Sequence, residues 1–308
     1  MRIGLQIPDF EWPGSPQNIG AKLIDIAKTA DQVGFYSLWV MDHFFHDENP
    51  EGFMLEGYST ISYLAAVTHR IKIGVLVSGN IYHHPGILIK TVTTLDVLSG
   101  GRAYFGIGNG WYEREARGLG LAFPPAAERS KRLEETLQIA KQMWRGDTSP
   151  YRGEYYQLEE PINSPPPLSK PHPPILIGGR GEKRTLLLVA KYANASNFYF
   201  GSLVRNTPER QERYRNNAEQ MQRKLDVLQK HCQTVGRPYA EIERTVLCTI
   251  SLVPDGMSAP DIVEACHALA ELGFQHVILN MPNVHEIEPL EIIGQEVIPQ
   301  VASRLAKG

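Results

Sequence analysis

Cysteine, uneven charge and long apolar runs are all scarce in this sequence, and each scarcity excludes a class of protein. The three cysteines, Cys232, Cys248 and Cys266, lie far apart without metal-type spacing, so we expect reduced, buried thiols. The 31 basic side chains nearly balance the 34 acidic ones, which argues against nucleic acid or an anionic membrane as a partner. No apolar run approaches the length of a membrane span. Because the chain also opens on a strand-like segment instead of a signal-peptide core, we expect a cytoplasmic protein.

Metal-binding motifs are scarce as well. His43 and His46 have a spacing that a metal pair can use, but neither a thiolate pair nor a His-Glu-x-x-His helix supports such a site. We therefore predict no metal, and a metal-dependent barrel hydrolase is a remote alternative.

The sequence does contain a regular alternation of short apolar runs and segments with helical spacing. The apolar runs are residues 2–7, 37–41, 71–77, 103–107, 174–177, 197–200, 245–253 and 275–279. The helical segments are residues 18–33, 58–69, 86–98, 126–144, 182–192, 208–235, 259–272 and 287–306. This α/β alternation predicts a parallel sheet closed into a (β/α)8 barrel, the TIM barrel. In such a barrel, functional residues lie on the loops that leave the C-terminal ends of the strands.

A long connection separates the fourth predicted strand from the fifth. Residues 151–158 predict a β-hairpin, and residues 161–174 are too rich in proline to continue a helix. We interpret residues 1–308 as one domain, in which an insertion of about residues 111–174 shapes substrate access.

The predicted helix 208–235 carries one apolar stripe, with charged residues on its other faces. Its members are Tyr214, Ala218, Met221, Leu225, Leu228, Cys232 and Val235. The stripe fits either a subunit contact or a helix packed on the barrel wall, and we favour the wall.

Asp42 and His43 follow the second predicted strand. A carboxylate beside an imidazole at a strand end is suited to proton transfer, because imidazole titrates near neutrality. Alternatively, Asp42 caps a turn and His43 fills the rim of the barrel.

The third and fourth predicted strands end in small residues. Ser78 and Gly79 allow backbone to approach a flat ligand, although a simple turn into the next helix explains them equally. Residues 106–110 include three glycines, which leave the C-terminal end of the fourth predicted strand without side chains. Trp111 then supplies an apolar surface. Tight packing of a turn gives the same composition.

The fifth predicted strand runs into Gly178, Gly179, Arg180 and Gly181. A strand, a glycine loop and a helix start in this order present backbone N–H groups to an anion. The cations at positions 180, 183 and 184 strengthen the case for phosphate over an idle loop. The spacing matches neither a P-loop nor a dinucleotide-binding fingerprint.

Four segments, residues 39–44, 99–102, 106–113 and 177–185, together resemble the bacterial luciferase-like family of flavin and deazaflavin barrels. The resemblance covers nearly the whole chain in order. It is closest to the branch that depends on coenzyme F420, which has similar segments at 110–113, 124–129, 162–165 and 181–185.

The resemblance implies roles for the residues already named. His43 is the catalytic candidate and Asp42 lies beside the reactive ring. The Leu76–Val77 bond matches a bulge behind the ring that carries a cis peptide in relatives, with Ser78 following it. Asn109 and the loop of Gly178, Gly179, Arg180 and Gly181 match cofactor contacts, and Trp111 matches a substrate contact.

We therefore expect an F420-dependent oxidoreductase that transfers a hydride between a deazaflavin and a small organic substrate. The alternatives are an FMN-dependent monooxygenase and a non-catalytic flavin-binding barrel. The family often dimerises, so a homodimer is a further expectation.

Overall fold

The computed structural model describes residues 1–46, 49–252 and 256–302, in which helices surround a barrel of strands. The strands are β1 (Arg2–Ile7), β2 (Ser37–Val40), β3 (Lys72–Val75), β4 (Ser78–Gly79), β5 (Ala103–Gly108), β6 (Tyr151–Arg152), β7 (Gln157–Leu158), β8 (Ile175–Gly178), β9 (Ala195–Ser202), β10 (Glu243–Thr249) and β11 (His276–Asn280). The helices are α1 (Ile19–Val33), α2 (Gly57–Ala65), α3 (Pro85–Leu98), α4 (Glu113–Gly118), α5 (Ala126–Trp144), α6 (Thr185–Tyr192), α7 (Pro208–Val235), α8 (Ala259–Glu271), α9 (Glu288–Ile292) and α10 (Ile298–Ala302).

The barrel closes through β3, which pairs with β2 on one side and with β5 on the other. From β2 the order runs through β1, β11, β10, β9 and β8 back to β5, and all these pairs are parallel. With β4 counted as the continuation of β3, this arrangement confirms the predicted (β/α)8 barrel. The antiparallel pair β6–β7 confirms the hairpin predicted at 151–158.

The third barrel strand departs from the continuous run predicted at 71–77. β3 ends at Val75, the Leu76–Val77 peptide bond is cis, and pairing resumes at Ser78. The register against β5 shifts by one residue across this interruption. An extra residue of this kind redirects the side chains around it. The resemblance implied a cis bond at this place.

A network of polar side chains closes the N-terminal end of the barrel. Ser37 Oγ lies 2.9 Å from Nε2 of His276, whose Nδ1 lies 3.3 Å from Oε1 of Glu243. Arg2 donates to that same oxygen at 2.9 Å, and the Tyr104 hydroxyl donates to Oε2 at 3.2 Å. Burial raises the pKa of Glu243, but His276 and Arg2 outweigh it and hold this pKa below its usual range.

A small apolar cluster also fills the interior of the barrel. Its buried members are Trp39, Leu76, Tyr104, Leu176, Ala195 and Ile278. The larger core lies outside the barrel, between the strands and the helices. The interior is therefore packed rather than hollow below the C-terminal ends of the strands.

The apolar stripe of α7 packs on the barrel wall, as favoured from the sequence. Met221, Leu225, Leu228 and Cys232 are buried in the main core, and the remaining stripe residues pack against it. Cys248 and Cys266 are likewise buried, and all three cysteines are free, as expected. No helix in the described ranges combines the length and apolar character needed to cross a bilayer.

The last predicted helix, 287–306, is not one regular helix. A π-helical turn, Ile293–Val297, separates α9 from α10. A Cβ on Gly294 would lie 2.4 Å from Cβ of Val33, so α1 approaches the backbone closely here. Residues 303–306 of this prediction, and Val253 of the seventh strand, lie outside the described residues.

Arg102, the last residue of the segment 99–102, ties α2 to the barrel. Its side chain donates to the carbonyl oxygens of Ala65, Thr68, Ile71 and Ser99 at 2.7–3.0 Å. Arg102 is buried, and these carbonyl oxygens lie at or just after the ends of α2 and α3 and directly before β3. One planar guanidinium thus satisfies groups that a helix end leaves without partners.

We expect Arg102→Lys to destabilise the fold by about 3 kcal/mol, because an ammonium cannot reach four carbonyl oxygens and each buried acceptor left unpaired costs about 1–3 kcal/mol. Urea denaturation followed by circular dichroism measures the loss. The control is Arg145→Lys, at an exposed arginine after α5. Equal midpoints for the two variants would contradict the assignment.

Candidate active site

Three glycines at the C-terminal ends of β5 and β8 leave room for one side chain. A Cβ on Gly106 would lie 2.1 Å from the carbonyl oxygen of Val75. Added Cβ atoms on Gly108 and Gly178 would lie 2.9 and 3.0 Å from methyl groups of Val77. Val77 therefore occupies the space that these residues leave. We call this surface, formed by Val77 over Gly106, Gly108 and Gly178, the glycine floor.

Asp42 lies next to the floor and is held by β4. Its Oδ2 accepts from the N–H of Gly79 at 2.7 Å and lies 2.8 Å from Nε2 of His83. Burial opposes protonation of His83, but the hydrogen bond and charge of Asp42 outweigh it, so the pKa of His83 is raised. Asp42 is only 3% exposed. His83 is thus paired with a buried carboxylate that favours its protonated form.

His43 is held by a second buried carboxylate, Glu115 of α4. His43 Nδ1 lies 3.1 Å from Glu115 Oε2, while Oε1 accepts from the N–H groups of Phe44 and Phe45. Burial raises the pKa of Glu115, but the hydrogen bonds from His43 and these backbone groups outweigh it and lower this pKa. An ionised Glu115 makes Nδ1 the donor. In the described residues, Nε2 of His43 has no hydrogen-bond partner.

Aromatic rings surround His43. Trp111 and Tyr112 stack at 5.1 Å, and both present edges to the imidazole, at 5.5 and 6.0 Å. Trp111 is 60% exposed, whereas a tryptophan that serves only in packing is largely buried. Trp111 thus offers an accessible apolar surface beside His43, at the position predicted to contact substrate.

Several buried polar atoms near the strand ends have no hydrogen-bond partner in the parts of the chain that the structure describes. They are Oδ1 of Asp42, Oδ1 of Asn109 and both amide atoms of Asn80, which is 1% exposed. Asn109 is anchored through its Nδ2 to Ser130 Oγ at 3.1 Å. A buried polar group without a partner costs about 1–3 kcal/mol, so such groups mark places where a ligand is paired. Acceptors and a donor beside an apolar floor fit a flat heterocycle with carbonyl and N–H groups.

A pair of amides forms another polar contact at this end of the barrel. Asn280 Nδ2 donates to Gln6 Oε1 at 3.1 Å, and Gln6 Nε2 donates to the carbonyl oxygen of Leu76 at 3.4 Å. Gln6 therefore holds the carbonyl of the cis peptide unit. Asn280 itself is only partly buried.

The predicted phosphate loop wraps around the start of α6. Cβ atoms on Gly179 and Gly181 would lie 3.0 and 2.7 Å from the side chain of Thr185, and Gly179 has φ +150°. Within the described ranges, the N–H groups of residues 180–183 donate to no backbone acceptor. Arg180 is exposed, and its guanidinium carbon lies 5.1 Å from the ring centroid of Tyr199. Free N–H groups at a helix start are suited to binding an anion.

The structure brings the sequence-predicted residues to one end of the barrel. Asp42, His43, Leu76, Val77, Asn109 and Trp111 lie at or just beyond strand ends, as do residues 178–181. The hydroxyl of Ser78 is instead buried against Tyr58 Oη at 2.7 Å, so this side chain supports the strand end. Sequence reasoning missed the sites of Gln6, Glu115, Tyr199 and Asn280. For Gln6, Tyr199 and Asn280, the only signal in the sequence was the alternation of side-chain direction along β1, β9 and β11.

The closed barrel belongs to the TIM-barrel class, and its polar side chains lie at the end where such barrels carry functional residues. A family model for luciferase-like monooxygenases matches residues 1–279, so the chain belongs to that family. The chain is thus an oxidoreductase with relatives that act on small molecules.

Individual relatives differ in cofactor. An F420-dependent glucose-6-phosphate dehydrogenase of Kineococcus radiotolerans is 27% identical over 92% of this chain and 78% of its own. An FMNH2-dependent dimethylsulfone monooxygenase of Pseudomonas putida is 31% identical, but over 39% of this chain and 33% of its own. The structure of coenzyme F420-dependent tetrahydromethanopterin reductase from Methanopyrus kandleri superimposes with a TM-score of 0.77 at 18% identity, covering 97% of this chain and 99% of its own. A flavin-type cofactor is therefore supported.

We expect the pairing of Asp42 with His83 to make stability depend on pH. A raised folded-state pKa means that the stabilisation is complete below the unfolded pKa of about 6.5 and is lost as pH rises through the folded value. Replacing His83 with Gln should therefore cost roughly 1 kcal/mol near pH 6 and less near pH 9. Urea denaturation at both pH values measures this difference. A larger cost at the higher pH would contradict the ion pair.

Proposed function

We propose that this protein is an F420-dependent oxidoreductase that transfers a hydride between the deazaflavin and a small organic substrate. One observation carries the proposal: a partly exposed His43 held by the buried Glu115, at the barrel end that also holds the glycine floor and the unpaired polar atoms. The similarity to the F420-dependent relative over 92% of this chain supports the same cofactor.

The residues would hold the cofactor as follows. Val77 and the glycine floor back the flat ring, and Asp42 and Asn109 pair with its polar edge. Residues 178–181 bind the phosphate through backbone N–H groups. When bound, a deazaflavin supplies two-electron hydride chemistry, because carbon replaces the ring nitrogen that supports oxygen activation in flavins.

His43 moves the proton that accompanies the hydride. Because Nδ1 donates to Glu115, Nε2 is the nitrogen that accepts a proton from an alcohol or, when protonated, donates one to a carbonyl. Glu115 stabilises the imidazolium and fixes the ring orientation, so it is a positioning residue. Trp111 covers the substrate and excludes water.

Cofactor choice is tested by titrating the purified protein with F420 and with FMN. We expect F420 to bind at least about tenfold more tightly, a difference of about 1.4 kcal/mol. Fluorescence quenching gives both dissociation constants. Tighter binding of FMN, with oxygen consumed when the reduced flavin is supplied, would favour the monooxygenase suggested by the Pseudomonas relative.

The proton-transfer role is tested by two substitutions. His43→Ala should lower kcat by about 100-fold or more, the usual contribution of general acid–base catalysis, and leave cofactor affinity within about threefold. Glu115→Gln should lower kcat by a smaller factor, since the imidazole is kept but its anionic partner is lost.

The control for Glu115 is Glu113→Gln on the same helix, where the carboxylate is half-exposed and pairs with Arg117. This variant should keep the wild-type rate. An unchanged kcat for His43→Ala would refute the role of His43, and equal losses in the two glutamate variants would refute positioning by Glu115.

A further inference from the structure

Tyr82, just beyond β4, carries a buried hydroxyl at the C-terminal end of the barrel. In the parts of the chain that the structure describes, this hydroxyl has no aligned hydrogen-bond partner. The buried hydroxyl of Tyr58 on α2 is, by contrast, paired with Ser78 Oγ at 2.7 Å. Because buried polar groups are normally paired, the hydroxyl of Tyr82 calls for an explanation.

The ring of Tyr82 is fixed by two neighbours. A Cβ on Gly79 would lie 2.5 and 2.6 Å from Cδ2 and Cε2 of Tyr82, so the ring packs directly on the backbone of β4. The ring of Phe44 packs edge-on against it, with the two centroids 5.7 Å apart. The N–H of Tyr82 also donates to the carbonyl oxygen of Gly79 at 2.9 Å. These contacts set where the hydroxyl lies.

The same two neighbours hold the buried carboxylates. The N–H of Gly79 donates to Asp42, and the N–H of Phe44 donates to Glu115. The ring of Tyr82 therefore stands between the segment that holds Asp42 and the segment that holds Glu115. Burial raises the pKa of Tyr82, and its contact with Glu115 and the charge of Asp42 raise it further. The hydroxyl thus stays protonated and acts as a donor beside two acceptors.

Glu115 is the carboxylate on which this hydroxyl acts more strongly. Burial raises the pKa of Glu115, and the contacts that lower it are, first, the one with His43 and, second, the one with Tyr82. Asp42 contributes to the environment of Tyr82 through its charge, as does Tyr112, the residue that precedes α4. Asp42, Glu115 and Tyr112 are thus the titratable groups that Tyr82 faces.

We propose that Tyr82 is a positioning residue that acts on His43 through Glu115. Its hydroxyl donates to the carboxylate that also accepts from Nδ1 of His43, and so takes up part of the negative charge. Less charge is then left to hold an imidazolium, so Tyr82 promotes release of the proton from His43. Hydrogen bonds of this kind are often long or poorly aligned until a substrate binds. The inference rests on the proposed function and deepens it, because it names a group that regulates the proton of His43.

The test follows the titration of His43 by NMR in the protein alone, with 15N-labelled histidine. The variant His43→Gln identifies the signal. We expect Tyr82→Phe to raise the pH midpoint of this titration by roughly half a unit, because Glu115 then attracts the imidazolium more strongly. An unchanged midpoint in Tyr82→Phe would overturn the inference.

The matched control is Tyr58→Phe, which removes another buried hydroxyl, one that lies near Asp42. It should leave the midpoint of His43 unchanged, and a shift equal to that of Tyr82→Phe would overturn the inference. A double-mutant cycle identifies the mediator, since Tyr82→Phe should have no effect when Glu115→Gln is already present. A shift that persists in Glu115→Gln would show that the hydroxyl acts through another group, such as Asp42, and would also overturn the inference.

These measurements need neither cofactor nor substrate, so they are independent of the proposed function. Failure of the protein to bind F420 would overturn that function and leave the contact of Tyr82 with Glu115 in place. Binding of F420 together with an unmoved midpoint in Tyr82→Phe would overturn the present inference alone.

Discussion

The mouth of this barrel depends on the space that glycine leaves for Val77. A side chain on Gly106 would collide with the carbonyl oxygen of Val75, and one on Gly108 or Gly178 would collide with Val77 itself. With Val77 seated there, the third strand can break and resume with a shifted register, and β4 can place the N–H of Gly79 against Asp42. Gln6 of β1, two strands away from β3, then donates to the carbonyl oxygen of Leu76. One packing constraint thus positions the apolar surface and one of the two buried carboxylates.

Charge is distributed in two distinct ways around this surface. The buried carboxylates of Asp42 and Glu115 each lie within hydrogen-bond distance of a histidine and also accept from backbone N–H groups, so both carboxylates are paired inside the mouth. The cations of the glycine loop lie exposed and without such partners. Desolvated pairs keep their strength in salt, whereas exposed charges are screened. The buried carboxylate–histidine pairs are therefore suited to orienting a ring and moving a proton. The exposed cations are suited to attracting an anion.

Much of this arrangement could be predicted from the sequence. Buried parallel strands are continuously apolar, so residues 2–7 and the other runs located the barrel strands closely. Hydropathy failed at residues 71–77 because Leu76 and Val77 remain apolar across the break, and only the family resemblance indicated it. Glu115 was missed because α4 has six residues and no periodic pattern, and because its contact with His43 spans 72 positions. The Gln6–Asn280 contact spans 274 positions, which no local signal can reveal.

The polar side chains that close the N-terminal end of the barrel have a consequence for the order of ligand binding. Ser37, His276 and Glu243 close one end, and Trp39 and its apolar neighbours fill the space above them. Ligands therefore enter and leave at the C-terminal end of the barrel. If two ligands bind one above the other, the deeper one must bind first and dissociate last, so this architecture favours an ordered binding sequence.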